Sequence, residues 1–195
     1  MESFAAHLAS IKFAPLSSPV QSELSPNRPT ISDSDIDATS FAIIASRCKE
    51  FRKVFGASAA NLRQHRIYLV DGFLMMQDDR ILDELDFVIF LHSNYETLKS
   101  RRDSRFAYVT LEGTWQDPPN YFSKIVYPAY TEYNARVLCK LTEDLPVQTI
   151  SIERSHSARG LLKVVAINSG LLGISDMVSK SCHFVVDEVS AQILK

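Results

Sequence analysis

Three stretches between residues 66 and 122 bring together side chains suited to ligand chemistry. The first is IYLVDGF, where Asp71 closes a short apolar run and precedes Gly72. In open α/β sheets, ligands bind beyond the carboxyl ends of the strands. An acid there can hold Mg²⁺ through water or accept a hydrogen bond from a hydroxyl. An aspartate before glycine is also an ordinary turn residue. The second is LKSRRDSR, with Arg101, Arg102 and Arg105. Residues three or four apart share a helix face, so Arg105 pairs with either of the other two. A planar guanidinium donates two parallel hydrogen bonds to a phosphate. Basic residues at a helix end also answer the helix dipole, on a solvated face. The third is YVTLEGTWQDPPNYF, where Tyr108 and Trp115 flank a glycine-containing loop. Either ring can stack on a flat ligand or serve as a partly buried aromatic.

These residues need elements to position them. Phe4, Leu8 and Ile11 share one helical face and predict a short amphipathic helix over 2–12. Residues 14–35 are rich in Pro and Ser and read as a surface loop or disordered insert. A helix is expected from about Asp37 to Phe55, with Gly56 placed to end it. IYLVDGF and DFVIFLH (residues 86–92) read as buried parallel strands. Ser93 or Asn94 then caps a helix through about Arg105. Asp117-Pro118-Pro119 reads as the opening of a long helix to about Cys139, with Asp117 as its cap. Its buried stripe is expected to be Phe122, Ile125, Val126, Ala129, Tyr133 and Val137, and Pro128 should kink it. A third strand is expected at VQTISI, residues 147–152. Residues 155–174 contain an apolar piece, LLKVVAI, that the pattern does not assign. Ser175-Asp176 starts a last helix with Val178, Cys182, Val185, Val189 and Ile193 on its apolar face. Strands alternating with helices predict an α/β fold with a parallel sheet.

The 195 residues fit one domain, and with 46% hydrophobic residues the chain can bury a core. A net charge of -2 gives no reason to expect nucleic acid or an acidic membrane as partner. Cys48, Cys139 and Cys182 are far apart with no C-x-x-C, which argues against a disulfide framework or zinc site and for a reducing cytoplasm. The first residues lack the apolar core of a signal peptide. No apolar run is long enough to span a bilayer.

Taken in order, the acid-Gly-Phe run, Y-E-x-x-K-x-R-R-x-S-R over 95–105, the tyrosine after it and W-x-D-P-P-x-Y-F over 115–122 resemble the fungal-type nicotinamide riboside kinases. That family is part of the uridine-kinase-like group of P-loop kinases. The resemblance is close over about 66–138 and faint over 1–13 and the final helix. It implies ATP- and Mg²⁺-dependent phosphorylation of nicotinamide riboside to nicotinamide mononucleotide, a step of NAD salvage. It implies that Asp71 is a catalytic acid near the metal and the hydroxyl. Arg102 would contact the ribosyl substrate, and Tyr108 would lie by the nicotinamide ring. Arg101 and Arg105 would form a basic lid over the nucleotide phosphates.

One part of that machinery is missing from the sequence. A P-loop kinase needs G-x-x-x-x-G-K-[ST] to surround the phosphates, and no glycine here lies five residues before a Gly-Lys. The resemblance matches ESFAAHLASIK to the helix that follows the P-loop and the family's Asp-Asp pair. The expectation is therefore a single, N-terminally truncated kinase-like domain over 1–195, whose P-loop NTPase-like parallel sheet is incomplete. Its first strand would be missing and a sheet edge exposed. As such a chain it would be inactive and bind ATP poorly. A non-catalytic binding or regulatory paralogue, and a fragment of a related uridine-type nucleoside kinase, are the alternatives that fit the same residues.

Overall fold

The run LKVVAIN is almost wholly apolar, as a strand is when covered on both faces. In the computed structural model it forms the middle strand of the sheet. The structure describes residues 2–12, 36–56, 67–105, 108–110, 113–155 and 160–193. In chain order the elements are α1 (Glu2–Lys12), α2 (Ala38–Gly56), α3 (Asp79–Glu84), β1 (Phe87–His92), α4 (Tyr95–Asp103), β2 (Tyr108–Thr110) and β3 (Gly113–Trp115). A π-helical segment, Phe122–Val126, leads into α5 (Tyr127–Tyr133) and α6 (Ala135–Leu138). Then come β4 (Val147–Ile152), β5 (Leu162–Asn168) and α7 (Ile174–Ile193). The expected insert at 14–35 lies outside the described residues.

The chain divides into two compact units. The first comprises residues 1–5 and 73–171. Its sheet has the order β1-β5-β4. β1 runs parallel to β5, with Phe87 opposite Lys163 and His92 opposite Asn168. β4 runs antiparallel to β5, with Val147 opposite Ile167. The expected parallel sheet is thus corrected to a small mixed one. The link over residues 153–161 is shorter than the dozen or so residues a parallel crossover needs, so β4 and β5 must pair as a hairpin. Val88 and Phe90 of β1, Ile152 of β4 and Leu162, Val164 and Ala166 of β5 pack with Met76, Leu82 and Val137 into one core. β2 and β3 form a separate antiparallel pair.

Two further expectations are corrected. Residues 67–72 do not form a strand, and Leu69 is 86% exposed. An apolar run becomes a strand only when a neighbour takes its backbone donors and acceptors. None of the described strands pairs with it. The helix expected over 117–139 is broken. Regular turns start only at Tyr121, and the chain breaks again at Asn134. Pro128 has no N–H to donate to the Lys124 carbonyl, and the turn before it widens so that Tyr127 N–H donates to the Phe122 carbonyl. Phe122 and Val137 of the expected stripe are buried, whereas Ile125 and Tyr133 are exposed.

The second unit comprises residues 6–72 and 172–195. In it α2 and α7 lie along one another. Asp37 N–H donates to Ser175 Oγ at 2.9 Å, and Arg47 pairs with Asp187. The near-constant offset between those partners means that the helices run in the same direction. Asp37 caps α2 by accepting from Ser40 N–H at 2.8 Å. That bond, with those from the Ser175 and Ser40 hydroxyls, holds its carboxyl down at about 2. Burial, then the nearby Cys48, pushes the Cys182 thiol up.

Candidate functional site

The first unit presents a cavity of about 220 Å³ between the end of α4 and the turn before the π-helical segment. Local chemistry places each wall. Asn94 caps α4, its side-chain oxygen accepting from Thr97 N–H at 2.9 Å. At the first turn, Tyr95 packs edge-on against Tyr127, with ring centroids 4.7 Å apart, and its hydroxyl lies 2.6 Å from Ser123 Oγ. Phe122 and Tyr130 extend this aromatic group. It anchors α4 against the segment after the turn, so the last turn of α4 faces Asp117–Tyr121.

Arg102 is the side chain that joins the two walls. Its Nε donates to Asp117 Oδ2 at 2.5 Å and its Nη2 to Asp117 Oδ1 at 3.2 Å. The guanidinium also lies over the Tyr121 ring, 5.8 Å from its centroid. Both members of the pair are about three-quarters buried. Arg105 and Lys99 line the same cavity, with Gln116 and Asn120 opposite. Lys99 pairs with Asp103, and that hydrogen bond raises its ammonium above the ordinary range.

The other expected site residues fall as follows. Arg101 does not line the cavity. Its Nη1 donates to Ser169 Oγ at 2.8 Å and its Nη2 to the Ser169 carbonyl at 2.7 Å, at the carboxyl end of β5. Arg105 is exposed on the cavity wall. Tyr108 begins β2, where its backbone is opposite that of Trp115. Asp71 lies in the second unit, in the exposed segment 67–72. The structure therefore brings Arg102 and Arg105 to one cavity. Asp117 was expected to cap a helix. Instead its carboxylate binds Arg102, because residues 117–120 form a turn and helical residues begin only at Tyr121. The signal was present in Pro118-Pro119-Asn120: two fixed φ angles, then a residue that tolerates the left-handed region.

Among the described residues no three His, Cys, Asp or Glu side chains cluster to cage a metal ion. Mg²⁺ held through one carboxylate and substrate phosphates needs no such cage, and Asp71 carries one exposed carboxylate. No helix among them is long and apolar enough to cross a membrane.

No family model matches the chain, and no solved structure does. Three curated proteins do. A nicotinamide riboside kinase of Schizosaccharomyces pombe is 42% identical over 82 residues, which are 42% of this chain and 34% of that protein. One of Eremothecium gossypii is 44% identical over 71 residues, 36% of this chain and 30% of its own length. One of Saccharomyces cerevisiae is 38% identical over 74 residues, 38% of this chain and 31% of its own length. Over part of its length, then, this chain is similar to fungal nicotinamide riboside kinases, and it spans about a third of the length of the curated relatives it matches.

Proposed function

We propose that the cavity between α4 and the Asp117 turn is the nucleoside side of a nicotinamide riboside kinase site. One observation carries this reading. The two motifs that bear the resemblance, Y-E-x-x-K-x-R-R-x-S-R and W-x-D-P-P-x-Y-F, close on one another through Arg102 and Asp117 to make the cavity. At about 220 Å³ it suits a sugar or single ring more than a whole nucleotide.

In the reaction the 5′-hydroxyl of nicotinamide riboside would attack the γ-phosphorus of ATP. A new P–O bond forms, the bond to ADP breaks, and the hydroxyl proton passes to a base. Arg102 holds ribosyl hydroxyls and fixes the direction of the attacking oxygen. Tyr108 is assigned to the nicotinamide ring and Asp71 to the hydroxyl and metal. Arg105, on the cavity wall, and Arg101 are assigned to the ATP phosphates. Arg101 must exchange Ser169 for phosphate to act there. Mg²⁺ supplies neutralisation of the phosphate charge when bound. A cytoplasmic location follows from the same reading, and the three free thiols suit it.

The sequence holds no G-x-x-x-x-G-K-[ST], and this favours a second reading for the chain by itself: it binds the nucleoside and does not transfer phosphate. Both readings are tested by calorimetry of the full chain with nicotinamide riboside and with uridine, followed by chromatography after incubation with Mg²⁺ and ATP. The expected result is heat with nicotinamide riboside, less with uridine, and no nicotinamide mononucleotide. Preference for uridine would move the site to the uridine-type kinases. Formation of the mononucleotide would overturn the non-catalytic reading.

A further inference from the structure

We propose that Asp117 is a positioning residue, one that presets the guanidinium of Arg102 for a ribosyl ligand. The inference rests on the nucleoside reading of the cavity above. An arginine in the last turn of a helix has a long side chain with much rotamer entropy to lose when a ligand orders it. Here the Nε and Nη2 edge is already engaged by one carboxylate, at 2.5 and 3.2 Å. Two parallel charge-assisted bonds set the guanidinium plane, and the Tyr121 ring beneath it limits tilting.

The carboxylate is itself held by a stiff turn. Pro118 and Pro119 fix their own φ angles near the usual proline value. Tyr121 N–H closes the turn on the Pro118 carbonyl at 3.0 Å. Asn120 adopts φ 62°, a left-handed conformation that asparagine tolerates better than most residues. The pair is also part of the cavity wall. A pair about three-quarters buried gives up in desolvation much of what it gains in attraction, so it is weak evidence for a stability role. The consequence of this one is therefore orientation. It also explains the order of residues in the turn, since a flexible loop would leave the carboxylate, and with it Arg102, to find the ligand afresh at each binding event.

The test uses the full chain labelled with ¹⁵N, in wild type, Asp117→Asn, Asp117→Glu, Arg102→Ala and the Asp117→Asn/Arg102→Ala double variant. Two readouts are taken: the Nε–H resonance of Arg102 and the calorimetric affinity for nicotinamide riboside. Asp117→Asn should shift and broaden the Arg102 resonance and weaken binding about tenfold, as loss of a charge-assisted hydrogen bond does. Circular dichroism should show the variant still folded at the binding temperature, so that the weaker binding reports positioning and not unfolding. Asp117→Glu keeps the charge but displaces it by one methylene, so it should restore binding only in part. The double variant should bind no more weakly than Arg102→Ala. An Arg102 resonance unmoved in Asp117→Asn, or single losses that multiply in the double variant, would overturn the proposal. A wild-type chain that gives no heat with nicotinamide riboside would overturn the nucleoside reading instead, and the resonance alone would then decide the pairing.

Discussion

Arg101 and Arg102 are adjacent in sequence and point about 100° apart around α4, and that angle separates their partners. Arg101 reaches Ser169, while Arg102 reaches Asp117 and Tyr121. Arg102→Ala should weaken nicotinamide riboside binding by tenfold or more, since a charged donor in a partly buried wall is lost. Arg102→Lys should recover only part of this, because an ammonium lacks the two-pronged donor geometry. Ser100→Ala, on an exposed face of the same helix, should bind as wild type. Titration calorimetry on the three variants checks the ranking, and wild-type affinity in Arg102→Ala would return the arginine to an ordinary helix-end role. Tyr130 supplies a second test. Its hydroxyl is buried without a hydrogen-bond partner among the described residues, and burial, aided by Tyr127, pushes it up to about 12. The neutral form is favoured in the fold, so stability is full below the unfolded value near 10 and falls as pH rises from there towards 12. Tyr130→Phe should be neutral or stabilising by up to about 1 kcal/mol at pH 7. It should also flatten part of the alkaline loss, as read by urea titrations at pH 8 and 11. A variant clearly less stable at pH 7 would show that the hydroxyl has a partner.

At the scale of elements, position in the sheet decides what each strand tolerates. β5 is central and buried along nearly its whole length, whereas β1 and β4 each leave one side unpaired in the described sheet. Leu161 and Leu162 make the contrast sharp, since the first is 62% exposed and the second wholly buried in the core. Leu162→Ala should cost about 2–5 kcal/mol, the range for opening a cavity in a packed core. Leu161→Ala should fall within about 0.5 kcal/mol of wild type. Equilibrium urea unfolding measures both, and equal losses would mean that the strand register is wrong by one residue. The caps behave more locally. Asn94 and Asp37 each accept a backbone N–H three residues on, a pattern legible in the sequence because capping depends on near neighbours. The π-helical segment was less legible. Pro128 announced a disturbance, but whether the chain kinks or widens by one residue depends on what the adjoining turn packs against. Here that is Tyr95 against Phe122 and Tyr127.

For the whole molecule, the proposed nucleoside reading of the cavity stands against the phosphate machinery that a kinase needs. A nucleotide phosphate needs a preorganised array of backbone N–H donors, and the sequence contains no G-x-x-x-x-G-K-[ST] to supply one. The exposed arginines offer charge without that array. Calorimetry of the full chain with ATP and Mg²⁺ should therefore register weak binding or none. Micromolar affinity, about -8 kcal/mol, would show a nucleotide site elsewhere in the molecule.

Local rules carried much of the reading. The helices at 2–12, 38–56 and 174–193, the strands at 87–92 and 147–152 and the cap at Asn94 follow from periodicity and short-range hydrogen bonding, which are properties of neighbouring residues. The motif order also pointed to the kinase resemblance that three relatives share. Tertiary structure decided what depends on partners far apart in the chain. IYLVDGF has the composition of a strand but no described strand to pair with, so it forms no regular element and is largely exposed. LKVVAIN has no alternation to betray it, and becomes the central strand because β1 and β4 take its two edges. Asp117, fifteen residues from Arg102, looks like a helix cap to any local rule. Its pairing with Arg102 follows from the stiff proline turn and the aromatic anchoring of α4, which bring carboxylate and guanidinium within hydrogen-bonding distance.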